Sequence, residues 1–336
     1  MIRGLLLIVA LAACQNSAPA PTKTQPAVAP AVAAKGRVVT ERFASAALGV
    51  DKDVVVYLPA GYDADPARRW PVFYYLHGLG GDETNWTKGG HLAEAADAVN
   101  LAAIVVMPDG DNGFYTDGVT PMDLDACLRD GTGLLDPRAP KRKTCVKTPA
   151  YATYIARDLV AWADATYRTV AAREGRGIAG LSMGGFGALQ LAMRHPDVFA
   201  VAASHSGIDA LLYAGPFPYA AGKVELETDP KQWGGALGPF GAWVRGIFGP
   251  DIARWQAHDP AVLAASVTQD RPALYLDCGT EDEFYLHNGA QYLHDLLVAR
   301  GIEHSWYLGP GRHDFAFWSA RLPHSLAFLR DHTRGN

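Results

Sequence analysis

The feature that most constrains this chain is a series of short, continuous apolar runs, each cut off by proline or glycine. Val54-Val55-Val56-Tyr57-Leu58 stops at Pro59, and Ile104-Val105-Val106-Met107 stops at Pro108. Val72-Phe73-Tyr74-Tyr75-Leu76 runs into glycines at 78, 80 and 81. Residues 177–181, 199–203, 273–276 and 305–308 continue the series. Runs of this kind, β-rich and without polar alternation, fit strands covered on both faces. Helical patterns lie between them. Residues 150–168 set Tyr151, Ile155, Leu159, Trp162 and Ala163 on one stripe, and residues 285–300 do so with Leu286, Tyr292, Leu293, Leu296 and Leu297. Residues 184–195 are small and apolar all round, as in a buried helix. The alternation predicts an α/β fold with a mostly parallel central sheet and helices on both faces. The strands between residues 37 and 58 have no helix between them and are expected to be antiparallel.

The chain of 336 residues has room for one large core, and a composition of 49% hydrophobic and 19% charged residues excludes intrinsic disorder. A net charge of -5 supplies no general field for nucleic acid, and no nucleic-acid partner is expected. Four cysteines are too few for a disulfide scaffold and are not paired as zinc ligands. The Asp109-Gly110-Asp111-Asn112-Gly113 stretch lacks the later glutamate of a calcium loop. No phosphate loop, zinc-protease motif or dinucleotide fingerprint is present, so neither a metal nor a cofactor is implied.

Residues 1–13 hold one positive charge and then a short apolar run, the pattern of a secretory signal. The run is shorter than the roughly 20 residues a membrane span needs. Its end, Leu11-Ala12-Ala13-Cys14, resembles the bacterial lipobox. That resemblance implies cleavage before Cys14, lipidation of Cys14 and a membrane anchor, with Gln15 favouring the outer membrane. An ordinary signal peptide that happens to contain a cysteine is the alternative. Residues 14–36, rich in Ala and Pro, read as a tether to a domain over 37–336. Export sets an oxidising context, in which Cys127 and Cys145 are expected to pair, with two free thiols as the alternative. Cys278 ends an apolar run and reads as a small buried hydrophobe.

Residues 208–258 interrupt the rhythm with many Gly, Pro and aromatic side chains, among them Phe217, Trp233 and Trp243. Such an insertion either caps a site or packs a small core of its own. Phe217, Trp233 and Trp243, together with Phe114, Tyr115 and His205, are the candidate lining of a substrate pocket.

The chemistry centres on Gly180-Leu181-Ser182-Met183-Gly184, a G-x-S-x-G motif between a strand and a helix. A sharp turn there exposes the serine hydroxyl at a helix start, beside N–H groups that can hold an oxyanion. The hydroxyl needs a base, and in the chain order Ser, acid, His the partners lie later. Asp282 follows the 273–276 strand and His313 follows the last one, so each stands in a loop at the same sheet edge as Ser182. Asp277 and Glu281 remain rivals for the acid, and His205, His287, His294, His304 and His324 for the base. Oxyanion donors are expected from the N–H of Met183 and of Leu79, in His77-Gly78-Leu79-Gly80-Gly81. His77 itself reads as a buried, hydrogen-bonded structural residue.

These stretches resemble the esterase D-like family of α/β-hydrolases, which includes S-formylglutathione hydrolases, feruloyl and short-chain esterases and mycolyltransferases. The resemblance rests on Tyr75 to Gly81, Gly180 to Gly185, Asp277 to Phe284 and Gly309 to His313, and spans about residues 37–331. It implies the α/β-hydrolase fold and the same assignment of Ser182, Asp282, His313, Leu79 and Met183. The expected activity is hydrolysis of carboxylic esters, small or in the cell envelope, through an acyl-enzyme on Ser182. Acyl transfer to a sugar or lipid alcohol is the alternative, and a non-catalytic binding module is a third reading. The Cys127 to Cys145 segment and the aromatic insertion depart from the family pattern.

Overall fold

The computed structural model describes residues 35–268 and 272–335. The signal segment, Cys14 and the tether up to residue 34 lie outside the described residues. Ten strands follow in order: β1 (Arg37–Ser45), β2 (Val50–Leu58), β3 (Val72–Leu76), β4 (Ile104–Pro108), β5 (Arg176–Leu181), β6 (Val201–His205), β7 (Tyr213–Gly215), β8 (Glu225–Leu226), β9 (Ala273–Gly279) and β10 (Ser305–Gly309). Eight of them form one sheet in the order β1-β2-β4-β3-β5-β6-β9-β10, and β7 pairs with β8 in a separate hairpin. β1 is antiparallel to β2, with Arg37 opposite Leu58, and β2 is antiparallel to β4. The remaining pairs in the sheet are parallel. Their carboxyl ends therefore share one edge, where loops can bring distant residues together.

The uninterrupted apolar runs have a direct structural cause. Successive strand residues point to opposite faces, so a strand covered twice needs apolar residues at every position. Val54, Val56, Val72, Tyr74, Ile104 and Val106 enter the core on one side; Val55, Tyr57, Phe73, Tyr75, Val105 and Met107 enter it on the other. The first face is covered by a helical run over 151–166 and by helices Met183–Arg194 and Leu286–Ala299. The second is covered by helices Leu92–Ala98 and Phe315–Asp331. Within the 151–166 run, Tyr154–Leu159 is wound as a π turn.

β6 lies two residues later than its apolar run suggests. Ser204 and His205 carry the strand past the end of the apolar run, and both are fully buried in it. Asp209 accepts a hydrogen bond from Ser204, and Asp277 pairs with His205, so neither polar side chain is stranded.

The 208–258 insertion is fastened to the core by its aromatic residues. Trp255 is buried against Trp233 at 5.1 Å and Phe248 at 4.8 Å between ring centroids. Phe248 in turn meets Phe186 at 6.1 Å and Phe114 at 6.2 Å. Phe217 and Leu237 remain on its exposed side.

Cys127 and Cys145 are joined by a disulfide, as expected, and Cys278 is a buried free thiol. The bridge closes a segment of 18 residues. Replacing both half-cystines by serine should lower unfolding stability by on the order of 3 kcal/mol, less any strain released. Urea denaturation of the double variant checks this, and an unchanged midpoint would show that the bridge does not constrain the unfolded chain.

Candidate active site

The turn from β5 into helix Met183–Arg194 leaves no room for a side chain at either position 180 or position 184, two residues from Ser182 on each side. A Cβ on Gly180 would lie 2.3 Å from the Gly184 carbonyl carbon, and one on Gly184 would lie 2.4 Å from the Leu76 carbonyl oxygen. The close approach holds Ser182 at φ 55°, ψ -118°, a conformation that L-residues seldom adopt. Its backbone N–H donates to the His205 carbonyl at 2.9 Å, which ties the turn to β6.

Loops from β9 and β10 meet the serine. His313 Nε2 lies 2.9 Å from Ser182 Oγ, and His313 Nδ1 lies 2.7 Å from Asp282 Oδ2. Asp282 Oδ1 accepts the Phe284 N–H at 2.9 Å. The side chain of Asp282 is fully buried and that of His313 is only 8% exposed. The His313 ring is held edge-on between Trp318 at 5.0 Å and Phe284 at 4.8 Å. Ser182, His313 and Asp282 thus form one hydrogen-bonded chain, in an arrangement that can pass a proton from hydroxyl to imidazole.

The rivals are engaged elsewhere. Asp277 receives His205 Nδ1 at 3.0 Å, the Tyr275 hydroxyl at 2.7 Å and Arg321 Nε at 3.2 Å. His205 Nε2 lies 2.8 Å from Ser325 Oγ. Glu281 is exposed, and its backbone bonds to Gly311. His294 and His304 contact each other at 2.7 Å. His287 lies against Asn288, and burial lowers the pKa values of His287 and His324.

The 77–81 loop crosses directly over the serine, for a Cβ on Gly78 would lie 3.3 Å from Ser182 Cβ. The Gly80 N–H donates to Asn112 Oδ1 at 2.8 Å, and the Gly81 N–H donates to the Gly78 carbonyl at 3.0 Å. The Leu79 N–H takes part in neither bond. The Met183 N–H opens the first helical turn, where intrahelical acceptors are lacking. His77 is structural, as its sequence context suggested. Its Nδ1 donates to the Gly78 carbonyl at 2.7 Å, and its Nε2 accepts from the Gly110 N–H at 2.9 Å.

Behind that loop lies a buried ionic cluster. Lys52 Nζ contacts Asp111 at 2.8 Å, Asp109 at 3.1 Å and the Lys143 carbonyl at 2.7 Å. Burial, reinforced by the Asp109 charge, pushes the Asp111 carboxyl up to about 7. Burial also opposes ionisation of Asp109, but the Lys52 charge overrides it and holds Asp109 well below the usual carboxylate range. The Tyr151 hydroxyl donates to Asp111 at 2.7 Å and completes the set. Sequence reading missed this cluster, because Lys52 stands in an exposed-looking Asp51-Lys52-Asp53 triplet.

The six candidate pocket residues fall in different places. Phe114, Tyr115 and His205 are fully buried and are not among the residues lining the two cavities described below. Phe114 packs into the Phe186–Phe248 aromatic cluster, and Tyr115 donates to the His77 carbonyl. His205 is consumed by Asp277 and Ser325. Phe217 and Trp233 do line a cavity of about 230 Å³, beside Phe284 and Tyr285. Trp243 lines a different cavity, also about 230 Å³, between Asn112 and the disulfide-closed segment.

A second residue missed from sequence is Glu283, next to the acid. Its carboxylate accepts the His313 backbone N–H at 3.0 Å and pairs with Arg312. Those bonds, the His313 N–H first, hold its pKa down at about 2. Glu283 therefore clamps the loop that carries the imidazole.

Known proteins resemble the chain along most of its length. A family model described as "Putative esterase" matches residues 45–329. An esterase of Mycobacterium tuberculosis is 29% identical over 287 residues, 82% of this chain and 55% of that protein. The chain thus spans about half the length of that relative. A diacylglycerol acyltransferase/mycolyltransferase of Mycobacterium leprae is 28% identical over 256 residues, 74% of this chain and 68% of that protein. Among solved structures, a ferulic acid esterase superposes with a TM-score of 0.63 at 21% identity, covering 89% of this chain and 98% of that one. At that identity the likeness speaks for the fold.

The Glu283 clamp can be measured directly. Glu283→Gln should speed hydrogen exchange at the His313 amide by about tenfold, the loss expected for one charge-assisted bond. In the unsubstituted protein the clamp should hold above about pH 4.3, the ordinary glutamate value, and fade as pH falls toward about 2. Equal exchange rates in the two proteins would show that the bond does not order the loop.

Proposed function

The chain belongs to the esterase family, and from that membership we propose that it is a serine esterase acting on carboxylic esters through an acyl-enzyme. The observation that carries this reading is the Ser182–His313–Asp282 hydrogen-bonded chain at one sheet edge. Ser182 Oγ attacks the ester carbonyl while His313 Nε2 takes its proton. Asp282 orients the imidazole and stabilises its charged form. The N–H groups of Met183 and Leu79 hold the oxyanion. His313 then protonates the leaving alcohol, and water, deprotonated by the same imidazole, releases the acid from Ser182. No step calls for a metal or cofactor.

Acyl transfer to an alcohol is the second reading. It is favoured by the similarity to the Mycobacterium leprae acyltransferase, and it uses the same acyl-enzyme. Products formed with an added sugar or lipid alcohol separate the two. The Leu11-Ala12-Ala13-Cys14 sequence supports export, lipidation of Cys14 and attachment to the outer membrane, with the domain tethered beyond residue 36. Metabolic labelling with a fatty acid, lost in Cys14→Ser, tests that attachment.

Ser182→Ala should lose about 10³-fold or more in kcat on short aryl esters while unfolding at the same denaturant concentration. A fluorophosphonate probe should label the unsubstituted protein and not the variant. Near-normal turnover by Ser182→Ala would place the nucleophile elsewhere.

A further inference from the structure

Lys143 reaches the 77–81 loop by two routes. Its Nζ donates to both carboxylate oxygens of Glu83, at 2.8 and 2.9 Å. Glu83 is 5% exposed and stands just beyond Gly81, where the loop ends. The Lys143 carbonyl accepts Lys52 Nζ at 2.7 Å. Lys52 in turn holds Asp109 and Asp111, and the next residue, Asn112, takes the Gly80 N–H. The loop crosses Ser182 at Gly78, so Leu79 lies between that crossing and the two holds. Lys143 itself is placed by the disulfide rather than by a core. It stands beside Thr144 and Cys145, Cys145 is bonded to Cys127, and of residues 128–144 only Gly131 is buried.

We propose that Lys143 is a positioning residue, whose ion pair with Glu83 fixes the backbone that carries the Leu79 N–H over Ser182. The proposal rests on the serine esterase reading of Ser182, with Leu79 as an oxyanion donor. The polar contacts of Lys143 go to Glu83, to Lys52 and, at 3.6 Å, to Asp53, so it acts through the loop and not on the reacting atoms. Removing its ammonium leaves a buried carboxylate uncompensated at the end of the loop. A displacement of about 1 Å in a group that positions a reaction can cost about 10²-fold. Loss of an oxyanion donor outright costs about 10²–10³-fold, which bounds the effect from above. Such a donor acts on charge that develops in the transition state, so its displacement lowers kcat and leaves KM nearly unchanged. A contribution to folding alone would move the denaturation midpoint and not the kcat of the folded protein.

The test uses the full chain and short aryl esters. Lys143→Met, which keeps the carbonyl bond to Lys52, should lower kcat by about tenfold to a hundredfold and change KM by less than about twofold. Lys143→Arg, which can pair with the same carboxylate, should recover most of the loss. An aryl trifluoromethyl ketone reports on the oxyanion itself. Ser182 Oγ bonds its carbonyl carbon, the π pair moves onto the oxygen, and the hydroxyl proton passes to His313. Its inhibition constant should rise in Lys143→Met by the factor by which kcat falls. Glu83→Ala should lose about as much as Lys143→Met, and the double variant little more than either, because the two side chains act as one pair. If Lys143→Met fails to fold, Glu83→Ala is read in its place. An unchanged kcat in the folded variant overturns the proposal. So does a ketone held as tightly as by the unsubstituted protein, or losses that add in the double variant. Fluorophosphonate labelling of the unsubstituted protein separates the two levels: no labelling refutes the esterase reading itself, whereas labelling together with normal turnover by Lys143→Met refutes only the role of Lys143.

Discussion

The contact between the Gly180 backbone and the Gly184 backbone is the constraint on which the rest of this molecule depends. It compresses the passage from β5 to the following helix until only glycine fits at positions 180 and 184, two residues before and after Ser182. The serine is driven to positive φ and stands at the helix N-terminus. Strain of this kind persists only when its surroundings over-determine it. Here the helix is almost entirely buried, and the Ser182 N–H is bonded to β6. A rigid nucleophile position is what the loops of β9 and β10 are built to meet.

Two buried polar systems keep those loops in place, one on each side of the serine. On the oxyanion side, Lys52, Asp109, Asp111 and Tyr151 anchor the segment from which Asn112 holds the Gly80 N–H. On the far side, His205, Asp277, Arg321 and Ser325 lock β6 and β9 to the C-terminal helix. Neither system touches the Ser182 hydroxyl. Buried ion pairs add little net stability, but removing one partner is severe because it leaves a charge uncompensated. Their contribution is therefore best understood as placement of backbone rather than as cohesion.

Much of the fold was legible because a doubly covered parallel sheet leaves an unmistakable trace, the unbroken apolar run. The triad was legible for a related reason: Ser182, Asp282 and His313 each follow a strand at the same sheet edge. Reading failed where polarity was taken for exposure. The apolar run ends at Ala203 although β6 continues through Ser204 and His205, and Lys52 sits in a charged triplet; a polar letter does not reveal a buried partner. Phe114 and Tyr115 failed the other way. Aromatic side chains near a site look like pocket walls, but here they fill the core beneath it.

The sequence by itself determined the layered α/β architecture, the turn that presents Ser182 and the order of its partners, because these follow from local sterics and from the period of burial. Only the tertiary structure decided which acid faces His313. Asp277 and Asp282 lie five residues apart on one strand and its loop, and direction, not proximity in sequence, sends the first to His205 and the second to His313. It also decided that Phe217 and Trp233 share a cavity with Asp209, while Trp243 faces another. Those outcomes depend on how separated segments pack, and packing is a property of distances that no local pattern encodes.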